Sequence, residues 1–581
     1  MTRPTSNSLP FWLELLAVFL LGLLIRIAFI HVHPAIYGGD TLARIMNADR
    51  ILLAYQLPLL QLLIYLVNLV SSDPLIVRYL MSFIGALAGV AFDLFSTTLL
   101  DRPTARLAGL FFVFSPFLLV HSIVPYQEIL MLLFLCLGLY CMLRPGRSSS
   151  SGHTLERHST KGSVPPWTRG DFRGVPETEG HPNLPLTPSL SKEGERRFQP
   201  SIGWASLFLG LACLTRYEAW VITAVAALYY LVTRLKGHSP LSYLRLLLKT
   251  MAIFGWAPLL WVLLHRGVSP QGTFVVEGPA PWARFWRIPY VGSMAVYHAG
   301  PVVALLAGFG LLKFWKSSLW KNREIQMVLA AASLLMLSLV FSAHGVEPDP
   351  QRYVTDREAH WFILFAFWAA ALGLSALKQP LMPLAGTSPS KPLTDFRNLR
   401  VVSYYLVLIL AVVWGTFQTS QYIKRLLADQ NLILDYAVAQ HLEQNLLDGE
   451  VALVFAQPTT QSSAQHYLDK VYRQGGTKAL ERARRQLAEL KSGPLDYSRI
   501  AANTHLRRDQ IVDGSKFSVN APDAPSFLSQ NHVRLAAVFS NYPAQELINT
   551  RHLLDRVTQR GKPQVTLADR GLQVSIYEVR F

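Results

Sequence analysis

Four short stretches of this chain set ionisable side chains directly against long apolar runs. Burying such a group unpaired at a membrane boundary costs a few kcal/mol, so each stretch is a candidate for chemistry. The first is HVHPAIYGGDTLARIMNADRILL, residues 31–53. Gly38 and Gly39 permit a tight turn, after which Asp40 can cap a helix running to about Ala54. On that helix Asp40, Arg44 and Asn47 share one face, and an N-cap with an i,i+4 ion pair would use the same residues. The second is Pro125-Tyr126-Gln127-Glu128, where a glutamate opens an apolar helix near its positive dipole end. The third, Leu214-Thr215-Arg216-Tyr217-Glu218-Ala219-Trp220, places an arginine and a glutamate between two apolar helices with almost no loop. An aromatic belt accounts for Tyr217 and Trp220 but not for the charged pair. The fourth, AHGVEPDPQRYVTDREAH at 343–360, offers Arg352, Tyr353, Asp356, Arg357, Glu358 and His360; by type alone it is a solvated loop. Glu277, Arg284 and Arg287 form a weaker fifth set, in which Trp282 and Trp286 read as interfacial anchors. His31 and His33 fit no helical ligand pair, so no histidine-based metal site is expected.

The elements that must position these residues are apolar helices. Of 581 residues, 51% are hydrophobic and 16% charged, against roughly a quarter charged in soluble proteins. Eleven spans are expected, at about 9–30, 79–100, 106–123, 127–143, 201–215, 218–233, 246–264, 291–312, 325–342, 360–377 and 401–419. The first is too long for a cleavable signal, contains Glu14 and Arg26, and is read as a retained helix. Residues 55–74 are apolar for too short a distance to span, and read as a helix lying at the interface. The three cysteines lie in apolar stretches, which excludes a disulfide framework.

Charge then orients the chain. With the N-terminus cytoplasmic, lysines and arginines crowd the cytoplasmic segments, while the opposite side holds nine arginines and no lysine before the C-terminal part. The formal charge of +17 is thus assigned to basic cytoplasmic loops and not to nucleic-acid binding. Arginine without lysine suits phosphate, which its planar fork binds in a bidentate manner. Asp93, inside the second span, is read as a polar contact near the cytoplasmic end.

Residues 1–419 are therefore read as a membrane region and 420–581 as a soluble α/β domain on the extracytoplasmic side. The latter shows helical patterns at Lys478 to Leu490 and Ala544 to Val557, and strand-like runs at Val451 to Ala456, Val533 to Phe539 and Gln573 to Val579. Residues 144–200 hold 23 Pro, Gly or Ser among 57 and read as a disordered cytoplasmic insertion; 378–398 is a shorter linker of the same kind.

This combination resembles the GT-C superfamily of membrane glycosyltransferases, which includes protein O-mannosyltransferases and lipid A aminoarabinose transferases. The resemblance covers roughly 9–375. It rests on the Gly-Asp of the first outer loop with two juxtamembrane helices, and on Val77-Arg78-Tyr79 followed by Ala86-Leu87-Ala88-Gly89. Glu128 after Ser115-Pro116, and the Leu-Thr-Arg that ends at Arg216, complete the match. It implies an integral inner-membrane (plasma-membrane) enzyme that moves a sugar from a polyprenyl-phosphate donor to an extracytoplasmic acceptor, with inversion. The acceptor class implied is a protein, a lipid or a glycan. By position Asp40 would be the general base or a ligand of a divalent metal (Mg or Mn), and Glu128 the second acidic residue. Arg216, Arg352, Arg357 and Arg44 would hold the donor phosphate, supported by Tyr217, Glu218 and His360. The first-loop motif is Gly-Asp-Thr and lacks the paired carboxylate of Gly-Asp-Glu. A transporter or flippase of lipid-linked sugars is the alternative reading. The chain shows no internal repeat, and its charges gather at helix ends, unlike most transporters.

Overall fold

Prolines set most of the helix starts. In this computed structural model, α1 (Phe11–Val32) and α2 (Gly39–Met46) are followed by α3 (Pro58–Val70), α4 (Pro74–Leu99), α5 (Arg102–Phe114) and α6 (Pro116–Ser122). Proline fits the first turn because its missing N–H would find no partner there in any case. Asp73 and Asp101 cap α4 and α5 by accepting from the amides of Leu75 and Thr104, at 2.8 and 3.4 Å. The helices continue as α7 (Gln127–Leu143), α8 (Gln199–Cys213), α9 (Glu218–Arg234), α10 (Pro240–His265), α11 (Arg287–Ala299), α12 (Pro301–Lys316), α13 (Arg323–Phe341) and α14 (His360–Lys378). Then come α15 (Tyr405–Gln421) and α16 (Leu432–Asn445). The described residues are 10–144 apart from 38 and 52–56, then 199–234, 240–265, 285, 287–341, 360–378, 405–421, 432–456, and parts of 500–579. Nearly all of the expected segments 144–200, 378–398 and 544–557, and the whole of 478–490, lie outside the described residues.

Among the described residues three helices are long and apolar enough to cross a membrane, or up to five if each of two bent pairs is one span. Shorter apolar helices join them, and the protein is a mostly helical membrane protein. Two of the eleven expected spans are corrected. The expected span 106–123 is α5 and α6 bent by 59° at Ser115-Pro116. The expected span 291–312 is α11 and α12, meeting at 117° across Gly300-Pro301. Gly300 has φ 87°, and Pro301 cannot donate into the preceding turn. A hydropathy average is blind to both facts. The helix from Asp40 is also shorter than expected, ending at Met46 instead of Ala54.

The end of the bundle near Glu14 is closed by ion pairs. Glu14 meets Arg102 and Arg106 at 2.9 Å each, and Arg106 also pairs with buried Asp93. Asp93, expected to make a polar contact, thus has a guanidinium opposite it. Elsewhere the helices approach through small residues. A Cβ at Gly310 of α12 would run into the carbonyl of Ala369 on α14, and one at Gly373 into that of Leu306.

The C-terminal part folds as a five-stranded mixed sheet in the order β2-β1-β3-β5-β4. Its strands are β1 (Val451–Phe455), β2 (Ile511–Asp513), β3 (Val533–Phe539), β4 (Val565–Asp569) and β5 (Leu572–Glu578), with a short helix α17 (Ala524–Gln530) between β2 and β3. β1 runs parallel to β2 and β3, while β5 is antiparallel to both β3 and β4. Alternate residues pack on opposite faces: Ala452, Val454, Leu535 and Ala537 lie with Val438 and Leu442 of α16, whereas Leu453, Phe455, Ala536 and Val538 lie with Leu528 of α17. Three of the strands were legible in the sequence; β2 and β4 were not, being short and only partly apolar.

The α12–α14 contact yields a paired prediction. Gly310→Ala is expected to lower the thermal midpoint in detergent, by a strain of about 1–3 kcal/mol. Gly308→Ala, where a Cβ meets nothing within 4 Å, should leave it unchanged. A scan of both variants by scattering or tryptophan fluorescence reads the difference.

Candidate functional site

At the opposite end of the bundle from Glu14, three of the four charged stretches meet. Arg216 lies in the turn between α8 and α9 and spreads its guanidinium over two carboxylates. Nε donates to Glu218 at 2.9 Å, Nη2 also donates to Glu218, and Nη1 donates to Glu128. Glu128 stands in the first turn of α7, where the helix dipole favours a carboxylate. Its side chain is 1% exposed, against 13% for Arg216 and 19% for Glu218. A carboxylate buried that far requires a close cation, and Arg216 provides one.

The residue before Glu128 receives the second arginine. Arg44 of α2, buried, donates from Nη2 to Oε1 of Gln127 at 2.6 Å. The two arginines therefore grip consecutive positions of α7. The third link runs through α3. Gln61 donates to the carbonyls of Arg44 and Asn47, at 3.2 and 2.7 Å, closing the C-terminal end of α2. The amide of Leu59 donates to the carbonyl of Leu214, 3.1 Å away, two residues before Arg216. So α2, α7, the Arg216 turn and α3 form a closed ring of hydrogen bonds.

Asp40 stands in the first turn of α2, one helical turn before Arg44, and its side chain lies outside the described ones. Thr41, in place of a second carboxylate, is fully buried and donates to the Tyr37 carbonyl. Asn47 turns back to the carbonyl of Ala43 at 2.8 Å. The loop before α2 is fixed on its bundle side by Arg78, which donates to the carbonyls of His33, Pro34 and Ile123. Tyr37 is buried, which pushes its phenol pKa up, and its hydroxyl donates to Val120 at 2.8 Å. Burial likewise raises Tyr217, which packs on Trp220 at 5.3 Å, so both phenols stay neutral.

His360, the first residue of α14, packs elsewhere. Its ring lies 4.4 Å from Phe117 and 4.9 Å from His121, and His298 of α11 stacks on Phe117 at 4.2 Å. His121 reaches Tyr126 at 4.8 Å, so this layer abuts the start of α7 and not Arg216 itself. Arg352, Arg357, Asp356, Glu358, Glu277, Arg284 and the side chain of Arg287 lie outside the described residues. Among the described residues no group of three or more His, Cys, Asp or Glu is placed to hold a metal ion. The donor set is also a poor fit for a divalent cation. Glu128 and Glu218 both face the Arg216 guanidinium, and a second cation beside it would be repelled.

Sequence reasoning missed Gln127, Gln61 and Arg78 as parts of this site. Gln127 and Arg78 each adjoin or lie within a motif singled out above, so proximity could have found them. Gln61 sits in an apolar helix with no flanking signal.

The pairing of Arg216 with Glu128 predicts strong coupling in stability. Arg216→Ala and Glu128→Ala should each destabilise the fold, while the double variant costs less than their sum by about 1–3 kcal/mol. A double-mutant cycle of denaturant or thermal midpoints measures it.

No protein-family profile matches the chain, and no curated protein matches its sequence. Among solved structures it is similar to ArnT from Cupriavidus metallidurans in the apo state, at 12% identity and a TM-score of 0.48 over 98% of this chain and 97% of that one. ArnT bound to undecaprenyl phosphate gives 13%, 0.44, 98% and 98% for the same quantities. For the Archaeoglobus fulgidus oligosaccharyltransferase tethered with an acceptor peptide they are 14%, 0.44, 94% and 70%.

Proposed function

We propose that this protein is a membrane glycosyltransferase that moves a sugar from a polyprenyl-phosphate donor to an acceptor hydroxyl on the extracytoplasmic face, with inversion. One observation carries the reading: Arg44 and Arg216 grip consecutive residues, Gln127 and Glu128, bringing two guanidinium groups and the helix bearing Asp40 to one end of the bundle. Two arginines beside a carboxylate at an apolar rim suit a substrate with a phosphate head and a lipid tail.

The chemistry needs a base and a home for departing charge. The acceptor oxygen attacks the anomeric carbon, its proton passes to the Asp40 carboxylate, and the bond from that carbon to the phosphate oxygen breaks. The phosphate leaves as an anion and needs no acid to protonate it, unlike the alkoxide released by a glycoside hydrolase. Arg216 and Arg44 hold that anion, with Arg352 and Arg357 assigned to the same task from the later loop. Glu128 keeps the Arg216 guanidinium in place from the buried side. Glu218, on the more exposed side, competes with the phosphate for the fork. Tyr217 supports the wall beside Arg216, while His360 packs with Phe117 and His121 beside the start of α7. Asp40 acts here as base and not as a metal ligand.

A flippase of lipid-linked sugars is the second reading, favoured by the two bent helix pairs, since transporters bind at broken helices. The ion pairs of Glu14 and of Arg216 lie at opposite ends of the bundle, which supports catalysis at one face.

Asp40→Asn should lower transfer by about 10²-fold or more with folding unchanged. Arg216→Ala should weaken donor binding about 10–100-fold, the value of a charge-assisted hydrogen bond to phosphate. Glu218→Gln should instead tighten it. Transfer and binding assays with a lipid-phosphate sugar check all three, and full activity of the Asp40 variant contradicts the reading. Chelators should leave the rate within about twofold; the base role of Asp40 fails if they abolish it.

A further inference from the structure

We propose that Asn503, in the C-terminal part of the chain, is a positioning residue for the segment that presents Asp40 and Arg44. This rests on the reading above that α2 carries the reaction. The side-chain amide of Asn503 pairs with the main chain of Ile36 at both of its groups. Oδ1 accepts from the Ile36 amide at 2.5 Å, and Nδ2 donates to the Ile36 carbonyl at 3.4 Å. Ile36 lies four residues before Asp40, in a segment with neither helix nor strand. Its backbone groups therefore need partners from outside the segment, and a planar amide offers a donor and an acceptor together.

Asn503 can act as a fixed point because its own turn is anchored. Its amide donates to the carbonyl of Ile500 at 3.1 Å, and Ile500 and Ala501 are buried in the core between the sheet and α16. The same core takes hold of the far end of α2. Met46, its last residue, is buried in one cluster with Leu434, Val438 and Leu535. The C-terminal part thus grips α2 beyond its end and the segment before its start. Arg78 opposes it from the bundle side, fixing the carbonyls of His33 and Pro34.

A cleft of about 280 Å³ runs between the two parts, lined by residues that include Arg78, Tyr436, Glu443 and Asn503. Water from this cleft can replace the Asn503 amide at Ile36, but water is not fixed to the sheet. Losing Asn503 should therefore leave the fold standing while the approach to α2 loosens. A small loss of registry before Asp40 acts on the reaction more than on donor affinity, because Arg44 keeps its hydrogen bond to Gln127 and Arg216 lies outside the segment.

The test uses the full chain in detergent or vesicles. Asn503→Ala should lower kcat for sugar transfer by about tenfold or more, with the donor KM within about twofold. Asn503→Asp, which keeps the acceptor for the Ile36 amide and loses the donor to its carbonyl, should fall between. Hydrogen exchange of peptides covering 33–46 should quicken in Asn503→Ala, while those covering β1 and β3 stay as in the parent. Unchanged exchange at 33–46 overturns the proposal. So does faster exchange spread over β1 and β3, which would mark a general prop of the fold, and so does local loosening with kcat unaltered. If the parent chain transfers no sugar, the reading of the reaction is what fails; the exchange result still reports the tether.

Discussion

A guanidinium buried between two carboxylates is the constraint on which the rest depends. Glu128 sits at the start of an apolar helix, where an unpaired charge would be costly. Arg216 resolves that cost only if the turn between α8 and α9 lies against the first turn of α7. Leu59 donates to the Leu214 carbonyl and Trp220 to that of Cys213, which fixes the turn that carries Arg216. Once that pair is made, Gln127 is aimed at Arg44, and α2 follows. The positions of three functional candidates are consequences of one ion pair.

The two ends of the helical bundle handle charge differently. Near Glu14, acids and bases pair in a cluster with nothing but mutual attraction to explain. At the other end, Arg44 and Arg78 have amide and carbonyl oxygens among their partners, while Arg216 meets two carboxylates. The helix breaks at Ser115-Pro116 and Gly300-Pro301 serve the same end, since they bring Phe117, His121 and His298 into one layer next to Tyr126.

Much of this was legible in the amino acids. Arg216 and Glu218 were conspicuous as a charged pair between two apolar helices, whereas the spans expected from 79 and 106 overlooked the aspartate and proline that start α4 at Pro74 and α5 at Arg102. β1, β3 and β5 were found almost to the residue, as short strand-like runs. What was not legible has a physical reason in each case. A window of mean hydropathy cannot register a 117° bend, because Gly300 and Pro301 change direction without changing polarity. Gln61 and Asn503 are neutral amides, and their importance comes from which carbonyl or amide they face across the fold. Ile36 and Asn503 are 467 positions apart, a separation that no local pattern encodes.

The central claim is that Arg44 and Arg216 address one phosphate. The most direct measurement is binding of a polyprenyl phosphate to the parent chain, to Arg44→Ala, to Arg216→Ala and to the double variant. A shared phosphate predicts that the double variant loses less than the sum of the single losses, by about 1 kcal/mol or more. Strictly additive losses, or binding indifferent to either arginine, would contradict it.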